Sequence, residues 1–311
     1  MTSVDILIAG SGHMPEQPDG PGFRHKQRIA STVSALLPPP VMLLLSILSM
    51  QIGAAVATKL FATLGPAGTV FFRLAFSAVF LVIATRPGIR AIFTAQWRAI
   101  AVLGVAIAMM NMPFYLAIDR IPLGVAAAIQ FIGPLVVGMA TSRRPRDFLW
   151  LAMAAGGVAI LSRDIGTALD PLGVFYALLA AAGWAGFILA SKWVGQTGQG
   201  GTGLALSLAV AALFAAPFYI GEGNFGAISW PAIAGALGVA ILSTALPLSL
   251  EFAALKRLPA RAYSVLVTLE PATAAIVGLL LLGQPLDFGI SAAILLISMA
   301  ALGVTLFDRK R

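Results

Sequence analysis

The sequence predicts an all-α membrane protein, with ten transmembrane helices arranged as two inverted five-helix repeats. Three observations carry that prediction. First, 59% of the 311 residues are hydrophobic, only 10% are charged, and the mean hydropathy is +0.95. Soluble domains carry about 25% charged residues, so this chain has too much apolar surface for water. Second, apolar segments near the ~20 residues needed to cross the hydrocarbon recur along the chain. They fall at about 40–60, 66–85, 97–118, 122–142, 147–162, 171–192, 202–220, 229–254, 259–282 and 286–307. Third, the chain echoes itself. YLAIDRIPLGVAAAIQFIGP (115–134) lays onto FAALKRLPARAYSVLVTLEP (252–271) without a gap, so Arg120 meets Arg257, Pro122 meets Pro259 and Pro134 meets Pro271.

The offset of 137 residues contains five segments, and an odd number sets the second copy upside down relative to the first. The repeats are assigned to residues 40–162 and 171–307, after a disordered cytosolic tail at 1–38 that is rich in Gly, Pro and charge. Lys and Arg fix the orientation. With the N-terminus inside, sixteen fall on the cytosolic side, only Lys59, Arg120 and Arg163 fall outside, and Arg73 lies within a span. That bias places both termini in the cytosol.

Several chemistries are excluded. The chain has no cysteine, and its two histidines, His13 and His25, lie in the tail. HExxH, a phosphate-binding GxxxxGK[ST] loop and a magnesium-holding acidic cluster are all absent, so no metal, cofactor or enzymatic activity is expected. The net charge of +8 comes from short loops between apolar runs, which argues for topology and against nucleic acid. Without an ATP site, any energy source is an ion gradient or the solute's own gradient.

Polar side chains within the spans are few, and the site candidates among them are Gln51, Arg73, Asn111, Tyr115, Gln130, Trp184, Glu251 and Glu270, with Ser243, Thr244, Tyr263 and Thr268 also in spans. A charge at bilayer depth costs at least ~2.5–3.5 kcal/mol, so each asks for a job or a partner. Arg73 either snorkels outward, binds a solute carboxylate, or pairs with an intramembrane glutamate. Glu251 is close enough to Lys256 and Arg257 for an interfacial salt bridge. Glu270 is too deep to reach water and reads as functional. Gln51, Asn111 and Gln130 serve a site or tie helices together, and Trp184 reads as packing. Pro113, Pro134, Pro247 and Pro271 fall in the third and fourth helices of each repeat. Interior prolines free backbone carbonyls, which hydrocarbon tolerates only against protein or a polar cavity. Those four helices are therefore expected to be bent or broken around a cavity. Gly156, Gly157, Gly278 and Gly283 read as close-packing surfaces.

The pair IPLGVAAAIQFIGPL and LPARAYSVLVTLEPATAA, with AILSTALPLSLEFAALKRLP, resembles the drug/metabolite transporter superfamily, EamA type. Within it, SMQIGAAVATKLF, FRLAFSA, GPLVVGMATSRRPRDFLW and STALPLSLE are similar to the bacterial threonine/homoserine exporters. The likeness covers about residues 40–307. It implies a multi-pass bacterial inner-membrane exporter of small amino acids, driven by protons through alternating access. Gln51, Arg73, Asn111, Glu251 and Glu270 then become cavity residues. One departure stands out: Gln130 occupies a helix-4 position where those exporters tend to carry Glu. Coupling then rests on Glu270 or Glu251, or the cargo differs. Other metabolites, aromatic amino acids or drugs are the alternative cargoes, and a non-transporting membrane scaffold is the rival of another class.

Overall fold

The computed structural model describes residues 37–88, 92, 95–140, 149–150, 152–154, 156–157, 160, 170–196, 200–223, 228–255, 257–258 and 260–307. Nearly all of the tail, half of the fifth segment, Lys256 and Pro259 lie outside them. Every regular element among the described residues is helical. These are α1 (Pro39–Thr85), α2 (Trp97–Ile118), α3 (Leu123–Gln130), α4 (Ile132–Ala140), α5 (Pro171–Gln196), α6 (Gly200–Glu222), α7 (Trp230–Ala240), α8 (Leu246–Leu255), α9 (Ala260–Val267), α10 (Glu270–Leu282) and α11 (Phe288–Phe307). A π-helical turn, Ile241–Ala245, joins α7 to α8.

Six helical stretches among the described residues are long and apolar enough to cross a membrane. The longest, α1, has 47 residues. At about 1.5 Å per residue it would reach roughly 70 Å, over twice the ~30 Å hydrocarbon. Gly65 divides it, with φ 71° and ψ 166°, and Pro66 starts the second arm. A side chain at Gly65 would strain that left-handed backbone. The large apolar side chains left exposed include Leu213, Leu280 and Leu295, as lipid-facing walls require. Trp97, Trp193 and Trp230, also exposed, sit at or near helix ends, where tryptophan anchors to the membrane interface.

Of the four prolines singled out in the sequence, three lie just after a helix break or a π turn. The helical stretch from Leu123 to Ala140 is interrupted at Phe131, between α3 and α4. The stretch from Ala260 to Leu282 is interrupted at Thr268–Leu269, between α9 and α10. Positions 131 and 268 are 137 residues apart. Pro134 and Pro271 lie in the first turn after a break, where a missing N–H costs little, and Pro247 lies just past the π turn. Pro113 corrects the expectation of a helix breaker, because α2 runs through it from Trp97 to Ile118. The carbonyl it frees, that of Met109, lies against α5, where a Cβ on Gly183 would fall 2.5 Å from the oxygen. Close approach of a glycine backbone covers the gap, so the helix has no need to break.

The glycine expectation needs similar refinement. Gly157 packs against the Ala293 carbonyl and Ile297, and Gly278 against Gln284 and Leu123. Gly156 meets nothing, and Gly283 serves instead as the left-handed cap of α10, at φ 65°. The first arm of α1 packs on the π turn so tightly that a Cβ on Gly53 would fall 2.1 Å from Ser243 Oγ. The α1 arms thus sit against α6, α7, α8 and α10, all from the second half of the chain.

Candidate functional site

The buried polar groups collect where the interrupted helices meet α1. Arg73, on the second arm, donates from Nη1 to Asn111 Oδ1 at 2.8 Å and to Tyr115 Oη at 3.1 Å. Its Nη2 reaches the Ser243 carbonyl at 3.4 Å, and its guanidinium lies 5.5 Å from the centre of the Tyr115 ring. Asn111 is fixed in turn by donating from Nδ2 to the Ile107 carbonyl at 2.8 Å. The π turn explains why α8 can take part. Widening a helix by one residue disturbs its ladder, and carbonyls in and beside that turn accept from outside it. Ser49 Oγ donates to Leu242 O at 2.7 Å and Ser46 Oγ to Pro247 O at 3.0 Å.

Arg73 therefore does not simply snorkel, nor does it pair with a glutamate. All three of its partners are neutral. Among the described residues, the ion pair formed is Arg120–Asp170, away from this site. Arg73 Nε and the hydroxyls of Ser243 and Ser77, one turn along, are buried without a hydrogen-bond partner.

Glu270 occupies the first turn of α10, directly after the break, and is 8% exposed. Gln51 donates to its Oε1 at 3.4 Å, and the N–H groups opening the half-helix give that end a positive potential. Glu251 accepts a short hydrogen bond from Tyr263, so its partner there is a hydroxyl within the bundle. Gln130 donates to the Met110 carbonyl at 3.3 Å, the helix-tying role. Trp184 packs edge-on against Phe131, the residue at the break, with ring centres 5.4 Å apart. Sequence reasoning thus named the Arg73 and Glu270 sides but gave no weight to Tyr263 or the Ser243 backbone. Both act across packed helices, and no local spacing announces such contacts. A groove of about 330 Å³ between α2 and α5 is lined by Val102, Val105, Met109 and Leu179 and carries none of these groups.

Apolar helices around a half-buried arginine, a buried glutamate and interrupted backbone define an α-helical membrane protein with a polar interior. Residues 171–306 match the model of the EamA-like transporter family. The chain is 38% identical over 275 residues to the threonine/homoserine exporter RhtA of Escherichia coli K12, covering 88% of this chain and 92% of that protein. It is 36% identical, over the same shares, to the exporter of that name from Salmonella typhimurium LT2. The chain belongs to the EamA-like transporter family, and it is a transporter, not an enzyme. A solved crystal structure also aligns over 99% of this chain and 96% of its own at 18% identity, but with a TM-score of 0.42 the likeness is weak.

Proposed function

We propose that this protein is a secondary exporter of small amino acids of the threonine and homoserine kind, working across the bacterial inner membrane by proton-coupled alternating access. One observation carries the reading: a half-buried guanidinium within the bundle, held by neutral partners only, whose Nε is buried without a hydrogen-bond partner. Such a charge lacks a counter-ion, and a solute carboxylate supplies one with strong charge-assisted hydrogen bonds. Glu270, held by Gln51 at the mouth of a half-helix, takes the ammonium or a proton in exchange.

The ten-helix, inverted-repeat arrangement is part of this proposal. The matching breaks at 131 and 268 and the kink at Gly65 support it. So does the distribution of Lys and Arg, which puts both termini in the cytosol. The relatives' printed activity supports the choice of cargo.

Counterflow in proteoliposomes, which needs no ion gradient, tests the cargo. Labelled threonine or homoserine should accumulate with the parent protein and not with Arg73→Ala. Counterflow of phenylalanine or a cationic dye alone would reassign the cargo. No counterflow of any solute would favour a scaffold.

A further inference from the structure

The two halves of the chain are fastened together at one end by side chains that close each other's helix termini. Glu222, the last residue of α6, accepts the backbone N–H of Ala67 at 3.1 Å and of Gly68 at 3.3 Å, in the first turn of the second α1 arm. Gln284, just beyond the cap of α10, accepts the N–H of Leu123 at 3.0 Å, the first residue of α3. Arg120, between α2 and α3, donates at 2.8 Å to Asp170 Oδ2, while Asp170 Oδ1 accepts the Leu172 N–H at 2.9 Å at the start of α5. In all three, one partner precedes residue 141 and the other follows residue 169.

The opening N–H groups of a helix have no partner within it, and an adjacent residue normally serves them. Here the acceptors lie 155, 154 and 161 positions away in the chain. A cap borrowed from the other half is satisfied only while the halves touch, and water replaces it once they part. Apolar packing backs the seam, with Tyr219 stacked on Phe71 at 5.5 Å and edge-on to Phe72. At the opposite end the described contacts differ in kind. Met42, Leu43 and Ile47 pack on Ala254 and Leu258, with a long hydrogen bond of 3.4 Å from Arg257 to the Leu37 carbonyl.

We propose that Glu222, Gln284 and the Arg120–Asp170 pair form the outer gate of the transport cycle, closed in this structure and opened to release cargo. The inference rests on the alternating-access reading above, with the Gly65 end facing outward.

The native chain has no cysteine, so engineered thiols report without background. A Cβ at Gly278 would lie 3.6 Å from Leu123 Cβ, inside the ~3.5–4.5 Å range of a disulfide. The Gln284 Oε1, 2.5 Å from that Cβ, is the far end of a flexible side chain and would have to turn aside. Oxidising Leu123→Cys/Gly278→Cys should reduce threonine efflux to the protein-free background, and dithiothreitol should restore it. Equal efflux before and after complete cross-linking would overturn the gate.

A second measurement needs no transport. Ala275→Cys, buried beneath the seam, is reacted from outside with a membrane-impermeant maleimide. Adding Glu222→Ala or Gln284→Ala should speed labelling, whereas Glu222→Gln, which keeps an acceptor, should not. Unchanged labelling in both alanine variants would also overturn the gate. Faster labelling in a chain that moves no solute would leave the gate standing and count against the export reading instead.

Discussion

Arg73 has its geometry from three elements at once: Asn111 and Tyr115 on α2, and a carbonyl in the π turn. Lysine in its place keeps the charge but loses the planar fork. Arg73→Lys should therefore lower the efflux kcat/KM by about tenfold or more, the worth of a charge-assisted hydrogen bond at ~1.5 kcal/mol or above. Asn111→Ala, which removes the group that orients the fork, should act in the same direction and more weakly. Both are read from initial efflux rates in proteoliposomes. At the surface, the Arg120 guanidinium holds the Asp170 carboxyl below the usual carboxylate range, helped by the Leu172 N–H. A carboxylate held low stabilises the fold above its unfolded pKa and loses that contribution as pH falls through the folded one. Melting curves of parent and Asp170→Asn should differ at neutral pH and converge in acid. At this scale the sequence was informative wherever a charge sat in an apolar run, as at Arg73 and Glu270. It was silent on Glu222 and Gln284, because their partners lie more than 150 residues away.

The helices are shaped by small residues as much as by prolines. Gly133 lies just past the Phe131 break, and a Cβ there would fall 2.1 Å from the Ala181 carbonyl of α5. Backbone cannot yield as a flexible side-chain tip can. Gly133→Ala should cost about 1–3 kcal/mol by overpacking, seen as a lower melting temperature in detergent. Gly156→Ala, with nothing within 4 Å, should leave it unchanged. Proline positions in the sequence located the breaks before α4 and α10, since a residue without an N–H is at home in a first turn, and marked the π turn before α8. They misled at Pro113, where the compensating contact comes from Gly183 on another helix. The π turn at Ile241–Ala245 had no signature beyond the nearby Pro247.

For the whole molecule, composition alone identified a membrane bundle, because a chain with 10% charged residues has no other solvent. Helix breaks at 131 and 268 have the same 137-residue spacing as the sequence echo. What sequence could not give was which faces meet: that α1 lies against α6, α7, α8 and α10, bringing Gln51 to Glu270 and Arg73 to the π turn. That juxtaposition underlies the central claim, that export of a small amino acid is driven by proton exchange at a carboxylate between the halves. Its most direct test is uptake of labelled homoserine into inverted membrane vesicles under an imposed pH gradient, parent beside Glu270→Gln. Acceleration by an acidic interior in the parent, and none in the variant, is the expected result; equal acceleration in both would contradict it.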